Sequence, residues 1–266
     1  AVQRGHDLAA REVTDVELPA RHFRNVFAEH FARTEERIQA AWKARRHTPV
    51  DRGRFLRKNG GGHGRGTWTG ADRAAADDWS VLSGQRVGVI TNPTGVTSSL
   101  RSIVDEMHDS GAVDVAAVFG PEHGFRGSAQ AGEAEETFVD PRTGITVYDA
   151  YGADVDDMTA MYTEADVETI VFDIQDVGAR FYTYIWTMYT AMRAAVRTGA
   201  RFVVLDRPNP IGGTARGPMM TTEFTSGVGA KEIVQAHGMT VGELARFFDG
   251  EFLPDEEGGG VSELEV

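Results

Sequence analysis

The stretch Arg86-Val87-Gly88-Val89-Ile90-Thr91-Asn92-Pro93-Thr94-Gly95 decides the fold. A short apolar run, rich in β-branched residues, breaks abruptly into a turn built on Asn, Pro and Gly. A helical stretch follows, from about Leu100 to Ser110, and Gly111 stops it. A strand covered on both faces reads as a near-continuous apolar run, not as an alternation. The same pattern recurs downstream. Val113 to Phe119 ends in Gly120-Pro121, and Glu168 to Phe172 ends at Asp173. A long helix from about Phe181 to Thr198 stops at Gly199, and Arg201 to Leu205 ends at Asp206. Thr146 to Tyr148 is a possible short strand. Thr240 to Phe248 reads as a helix, with Thr240 as N-cap and Glu243 closing a capping box. Strands alternating with helices predict an α/β fold, a Rossmann-like, mostly parallel sheet with helices on both faces.

Working outward, the chain divides in two. Residues 1–68 hold 14 Lys and Arg against 8 Asp and Glu, a net of +6, whereas the remainder carries −19 of the total −13. The front segment reads as a basic extension, either disordered or helical. Phe23, Phe27, Phe31, Ile38 and Trp42 recur at helical spacing between about Pro19 and Arg46. Asn59-Gly60-Gly61-Gly62-His63-Gly64-Arg65-Gly66 is a linker; it lacks the preceding strand and the Lys-Ser/Thr ending of a phosphate loop. Residues 69–266 form the catalytic domain in this reading. So acidic a body argues against nucleic acid as a partner. No apolar run approaches the roughly 20 residues of a membrane span, and no signal peptide is visible in the charged first thirty residues. Without cysteine the chain has no disulfide framework, thiolate metal site or cysteine nucleophile. The ending Ser262-Glu263-Leu264-Glu265-Val266 alternates like a strand.

In an open parallel sheet, ligands bind outside the carboxyl ends of the strands. Four predicted strands end there in polar, turn-rich loops, so all four loops should share one edge. Glu122, in Gly120-Pro121-Glu122-His123-Gly124-Phe125-Arg126-Gly127, is the first candidate. A carboxyl in a partly closed pocket can serve as general acid; the bland alternative pairs it with Arg126 or has it cap a turn. Glycoside hydrolysis usually needs a second carboxylate. Glu133 and Asp176 are preferred to Asp173 and Asp206, which sit at strand ends where aspartates often anchor loops. Arg180 and Arg207 suit an acidic substrate group, because a guanidinium grips a carboxylate through two bonds; internal salt bridges to Asp176 or Asp206 are the alternative. Asn92, Gln130 and Asn209 suit hydroxyl and acetamide recognition. Tyr182 and Tyr184 are spaced so that only one should face a sugar, and His237 lies beside a helix start. Asp173, His123 and Arg126 complete the set of candidate binding residues. His123, Asp173, Asp176, Asp206 and His237 are also the side chains open to an ion, but no His-Glu-x-x-His or Asp-rich calcium loop is present and no metal is expected. No strand runs into Gly-x-Gly-x-x-Gly, and no Gly-x-Ser-x-Gly elbow occurs, so neither a dinucleotide cofactor nor a serine nucleophile is expected.

These loops carry a resemblance. Ile90-Thr91-Asn92-Pro93-Thr94-Gly95, Phe119-Gly120-Pro121-Glu122-His123-Gly124, Ala129-Gln130-Ala131-Gly132-Glu133, the run from Phe172 through Arg180 to Tyr184, Leu205-Asp206-Arg207-Pro208-Asn209-Pro210 and His237-Gly238-Met239-Thr240 occur in that order. Together, from about Ala71 onward, they resemble the exo-β-N-acetylmuramidase family. The resemblance implies a Rossmann-like domain followed by a smaller carboxyl-terminal one, most of which would lie past Val266. It implies release of terminal N-acetylmuramic acid from the non-reducing end of peptidoglycan fragments, with Glu122 as the acid and no cofactor. The lactyl carboxylate of muramic acid would then be the partner of Arg180 or Arg207. It also implies a secreted, periplasmic or cell-envelope location, with a cytoplasmic one as the alternative. A non-catalytic cell-wall sugar-binding module and a metal-dependent hydrolase of another substrate are the competing functions.

Overall fold

The computed structural model describes residues 67–127 and 136–266. The expected front helix, the glycine-rich linker, Gln130 and Glu133 lie outside the described residues. Strands β1 (Arg86–Thr91), β2 (Asp114–Gly120), β3 (Phe138–Val139), β4 (Thr146–Asp149), β5 (Thr169–Asp173), β6 (Arg201–Val204) and β9 (Leu264–Glu265) form one sheet, in the order β3-β4-β2-β1-β5-β6-β9. Each neighbouring pair is parallel except β3 with β4. The α/β, mostly parallel arrangement read from the apolar runs is the one observed. The strand-like alternation at the end of the chain is β9, where Leu264 pairs with Phe202.

Among the described residues six helices accompany the sheet: α1 (Gly70–Ala76), α2 (Ile103–Ser110), α3 (Val155–Glu164), α4 (Tyr184–Thr198), α5 (Val241–Glu251) and α6 (Leu253–Glu257). Alternation along each strand divides the core. Val87, Val89, Val118, Val171 and Val203 pack with Ala71, Ile103, Val104 and Met107 of α1 and α2. On the other face, the Phe119 ring meets Tyr162 of α3 edge-on at 5.0 Å, and the Tyr162 hydroxyl donates to the Ala191 carbonyl of α4. Gly88 is required here, because a Cβ would stand 2.6 Å from the Phe119 ring. Gly111 and Gly199 end α2 and α4 in left-handed conformations, as C-cap glycines do. Thr240 and Glu243 form the expected capping box of α5. Helix α4 begins at Tyr184, three residues later than its pattern predicts.

A separate antiparallel ribbon, β7 (Arg216–Met219) with β8 (Val234–Ala236), follows β6. Among the described residues no helix is long and apolar enough to cross a membrane.

Candidate functional site

From β1 the chain proceeds outward to β2 and β4, then returns to the other side of β1 as β5. The loops after β1 and β5 therefore diverge from a topological switch point, where open α/β sheets bind ligands. Thr91 and Asp173, paired in register, mark it; the Thr91 hydroxyl donates to the Asp173 carbonyl at 2.7 Å. The next residue, Asn92, is buried, and its Oδ1 accepts from the Thr94 amide and hydroxyl. The Thr94 oxygen in turn accepts from the Gln175 amide at 2.9 Å, and Gln175 Nε2 reaches the Pro208 carbonyl at 3.0 Å. Three of the four predicted loops are thus tied edge to edge.

Glu122 joins them from the loop after β2. A tight turn, closed by Gly124 N–H donating to the Pro121 carbonyl at 2.8 Å, presents its half-buried side chain. Glu122 Oε2 accepts from the Thr183 hydroxyl at 2.8 Å. Thr183 immediately precedes α4 yet makes no side-chain capping bond, because its hydroxyl is given to Glu122. The neighbouring Tyr184 hydroxyl lies beside Asn92. Burial raises its pKa, the Asn92 side chain opposes the rise, and the charges of Glu122 and Tyr182 add to it. The structure therefore gathers Asn92, Glu122, Tyr182 and Tyr184 in one place. Tyr184 is half-buried beside Asn92, and Tyr182 stands exposed with Phe181, their rings 5.7 Å apart. The strand-like spacing expected of the two tyrosines does not apply, because Tyr184 already begins a helix.

Asp176 is buried on the loop after β5. Its Oδ2 accepts from the Gly178 amide at 2.7 Å and from His237 Nε2 at 3.0 Å. The Met239 amide donates to His237 Nδ1, which places the imidazole proton on Nε2, facing Asp176. Among the described residues Asp176 Oδ1 is buried without a hydrogen-bond partner. Such an acceptor calls for an explanation, since buried polar atoms are nearly always bonded.

Several side chains expected to face substrate are committed inside the protein. Asp173 is fully buried and Arg207 nearly so. Arg207 Nε and Nη2 grip the two Asp173 oxygens at 2.5 and 2.9 Å, and Nη2 also donates to the Val96 carbonyl. The substrate role expected for Arg207 gives way to an internal salt bridge, the alternative, but with Asp173 in place of Asp176 or Asp206. Asp206 anchors its loop instead, accepting from the Gly242 amide and the Thr240 hydroxyl at the start of α5. Asn209 donates to the Met239 carbonyl and accepts from the Ile211 amide, so its amide holds two loops together. His237 is 1% exposed, behind Asp176 rather than open to a ligand. Arg126 bonds both oxygens of Asp105 and of Asp140. Burial pushes both carboxyls upward, but the Arg126 hydrogen bonds and charge, with help from Arg142 on Asp105 and Thr143 on Asp140, hold them below the ordinary range. Arg126→Ala is therefore expected to cost about 1–3 kcal/mol of stability, the cost of leaving Asp140 buried and underbonded. Urea melts of the two proteins at neutral pH check this, and an unchanged midpoint would contradict it.

Arg180 differs. Its Nη1 donates to the Pro218 and Ile233 carbonyls of the ribbon at 2.6 and 2.8 Å, and among the described residues no carboxylate pairs with it. Partial burial lowers its pKa. The ribbon, unforeseen from the sequence, is what positions this guanidinium. Thr183 is likewise a site residue that the sequence left unassigned; the sequence pattern placed it inside the helix, and its neighbour Tyr182 was the available signal. Among the described residues no three His, Asp or Glu side chains gather as a metal site would require.

Comparison with known proteins gives a consistent result. A family model described as "Exo-beta-N-acetylmuramidase NamZ, N-terminal" matches residues 87–265. The peptidoglycan beta-N-acetylmuramidase NamZ of Bacillus subtilis (strain 168) is 47% identical over 190 residues, covering 71% of this chain and 45% of that protein. Two crystal structures of DUF1343 family proteins from Bacteroides fragilis NCTC 9343 share the fold. One has a TM-score of 0.63 at 41% identity, over 69% of this chain and 46% of that one. The other has 0.61 at 32%, over 75% and 50%. The chain spans about half the length of the relatives it matches.

Proposed function

This chain belongs to the exo-β-N-acetylmuramidase NamZ family through its amino-terminal domain, and from that premise we propose that it forms the catalytic half of a glycoside hydrolase releasing terminal N-acetylmuramic acid from the non-reducing end of peptidoglycan fragments. The reading rests chiefly on Glu122, held at the carboxyl edge of the sheet by Thr183 and flanked by Asn92, Tyr182 and Tyr184. In this reading Glu122 delivers a proton to the departing glycosidic oxygen as general acid. Asp176, held by the Gly178 amide and by His237, is the preferred second carboxylate among the described residues, and its Oδ1 is buried without a partner there. Glu133 keeps its place as an alternative from the sequence. A substrate of this kind belongs to the cell envelope, and the proposal places the protein there.

Arg180 is the proposed anchor of the lactyl carboxylate that distinguishes muramic acid from glucosamine. It rather than Arg207 fills this role, because Arg207 is spent on Asp173 while Arg180 faces backbone carbonyls alone. Arg180→Lys keeps the charge and loses the planar fork. The variant is expected to raise KM for a chromogenic muramide roughly tenfold or more. The corresponding glucosaminide should be hydrolysed no more poorly than by the wild type. Muramic acid release insensitive to this change would remove Arg180 from the site. Absence of any release by the wild type, with tight sugar binding retained, would favour the binding-module reading.

A further inference from the structure

The Arg180 guanidinium owes its position to two carbonyls of the ribbon, Pro218 and Ile233. Whatever holds the ribbon therefore holds the guanidinium. Two paired strands are a poor support by themselves. Here β7 contains Gly217 and Pro218, and its pairing with β8 is irregular. Ile233 and Val234 bury their side chains. Such burial is non-directional, so it keeps Ile233 in place without aiming its carbonyl.

The aim comes from the turn before β8. The Ile233 amide donates to the Lys231 carbonyl at 2.8 Å, and the Ile233 carbonyl accepts from the Met220 amide at 3.1 Å as well as from Arg180. A three-residue turn of this kind couples the peptide of Ile233 closely to that of Lys231. Lys231 is tied in turn to the helices. Its ammonium pairs with Glu256 of α6 and lies 5.4 Å from the ring of Tyr189 in α4 and 5.8 Å from that of Phe252, between α5 and α6. Both rings are within cation–π reach. Glu256 is itself fixed, accepting from the Tyr189 hydroxyl at 2.8 Å and pairing with Arg193 at 3.3 Å. Burial, and then the charge of Arg193, lowers the Lys231 pKa, so this cation is partly withdrawn from water. Helix α4 also holds the other end of the arrangement, where Trp186 Nε1 donates to the Arg180 carbonyl at 2.7 Å. Trp186 and Tyr189, three residues apart, share one face of α4. One fixes the backbone of Arg180, and the other receives the lysine beside the turn that aims a carbonyl at its guanidinium.

We propose that Lys231 is a positioning residue for Arg180: it clamps the ribbon against α4 and α6, and so orients the guanidinium that grips the carboxylate of muramic acid. This inference rests on the role given to Arg180 above.

The test measures kcat and KM of the full chain on a chromogenic muramide and on the corresponding glucosaminide. Lys231→Met should raise KM for the muramide about fivefold, the worth of one partly desolvated cation–π contact. Its kcat should stay unchanged, as for the loss of an anchor used equally in the ground and transition states. Hydrolysis of the glucosaminide should not change. Lys231→Arg keeps a cation over the rings and should bring KM back to within about twofold of the wild type. In the Arg180→Lys background, Lys231→Met should add nothing, because residues that act through one another are not additive. A loss shared by both substrates, or repeated in full in that background, makes Lys231 a merely structural residue and overturns the inference. Should Lys231→Met fail to fold, Glu256→Gln unties the ammonium while its amide oxygen still accepts from Tyr189. It should show the same rise confined to the muramide, and an unchanged KM overturns the inference. An unchanged KM in Lys231→Met, with Arg180→Lys impaired, overturns this inference alone. An unimpaired Arg180→Lys overturns the role of Arg180 and this inference together.

Discussion

Glu122→Gln is expected to lower turnover of a chromogenic muramide by about 10²–10⁴-fold, the usual contribution of a positioned general acid, with the melting curve unchanged. Glutamine has nearly the same shape and its amide oxygen can still accept the Thr183 hydroxyl, so the turn and the start of α4 should stay in place. What it lacks is a transferable proton. Glu122 is better suited to this role than Asp176. Its single side-chain bond among the described residues leaves Oε1 uncommitted, and the residue is only half-buried. Asp176 sits deeper, and one of its oxygens already holds His237 and Gly178. A decrease of less than tenfold, measured under substrate saturation, would take the proton-donor role away from Glu122. The separation of the two carboxyl groups in a sugar complex would then fix the stereochemistry: about 5–5.5 Å favours retention and roughly 6.5–9.5 Å favours inversion.

The sheet was legible because its central strands are covered on both faces. Burial of that kind writes an apolar run such as Val87 to Ile90 into the sequence and leaves polar residues for the loop beyond. Helix α3 was missed although Asp154 and Asp157 form a capping box, as do Thr69 and Asp72 of the missed α1; the signal was present, but the apolar stripes behind it are short. The ribbon was illegible for a different reason. Arg216-Gly217-Pro218-Met219 contains the two residues least suited to a strand, and it forms one only against β8. For the site, loop convergence followed from topology, whereas the duty of each charged side chain did not. Arg207 meets Asp173 across 34 residues of sequence, and Arg126 meets Asp105 across 21. No local spacing distinguishes a guanidinium that will grip such a partner from one, such as Arg180, that faces only carbonyls.

The buried Asp173–Arg207 pair also leads to the largest expected loss of stability. Arg207→Met removes the guanidinium, keeps much of the apolar stem and leaves a fully buried carboxyl without its counter-charge. Breaking a buried pair from one side costs about 3–5 kcal/mol, a large share of the roughly 5–15 kcal/mol that holds a domain folded. The loss should depend on pH in a definite sense. Burial pushes the Asp173 carboxyl from 3.8 up to about 6 even though Arg207 pulls it down. A carboxyl that holds its proton more tightly when folded contributes stability that is complete below the unfolded value. That contribution is lost as pH rises through the folded one. Without Arg207 the folded value moves higher still, so Arg207→Met should be penalised more at pH 8 than at pH 5. Asp105 and Asp140 respond in the opposite sense, losing their contribution as pH falls through their depressed values. They are present in both proteins and cancel in the difference. Urea melts of the wild type and Arg207→Met at the two pH values give that difference directly, and an equal loss at both would show that the variant carries no uncompensated charge. Replacing both partners, Asp173→Leu with Arg207→Met, should recover much of the stability at pH 8, because it is the stranded charge rather than the missing bond that is costly.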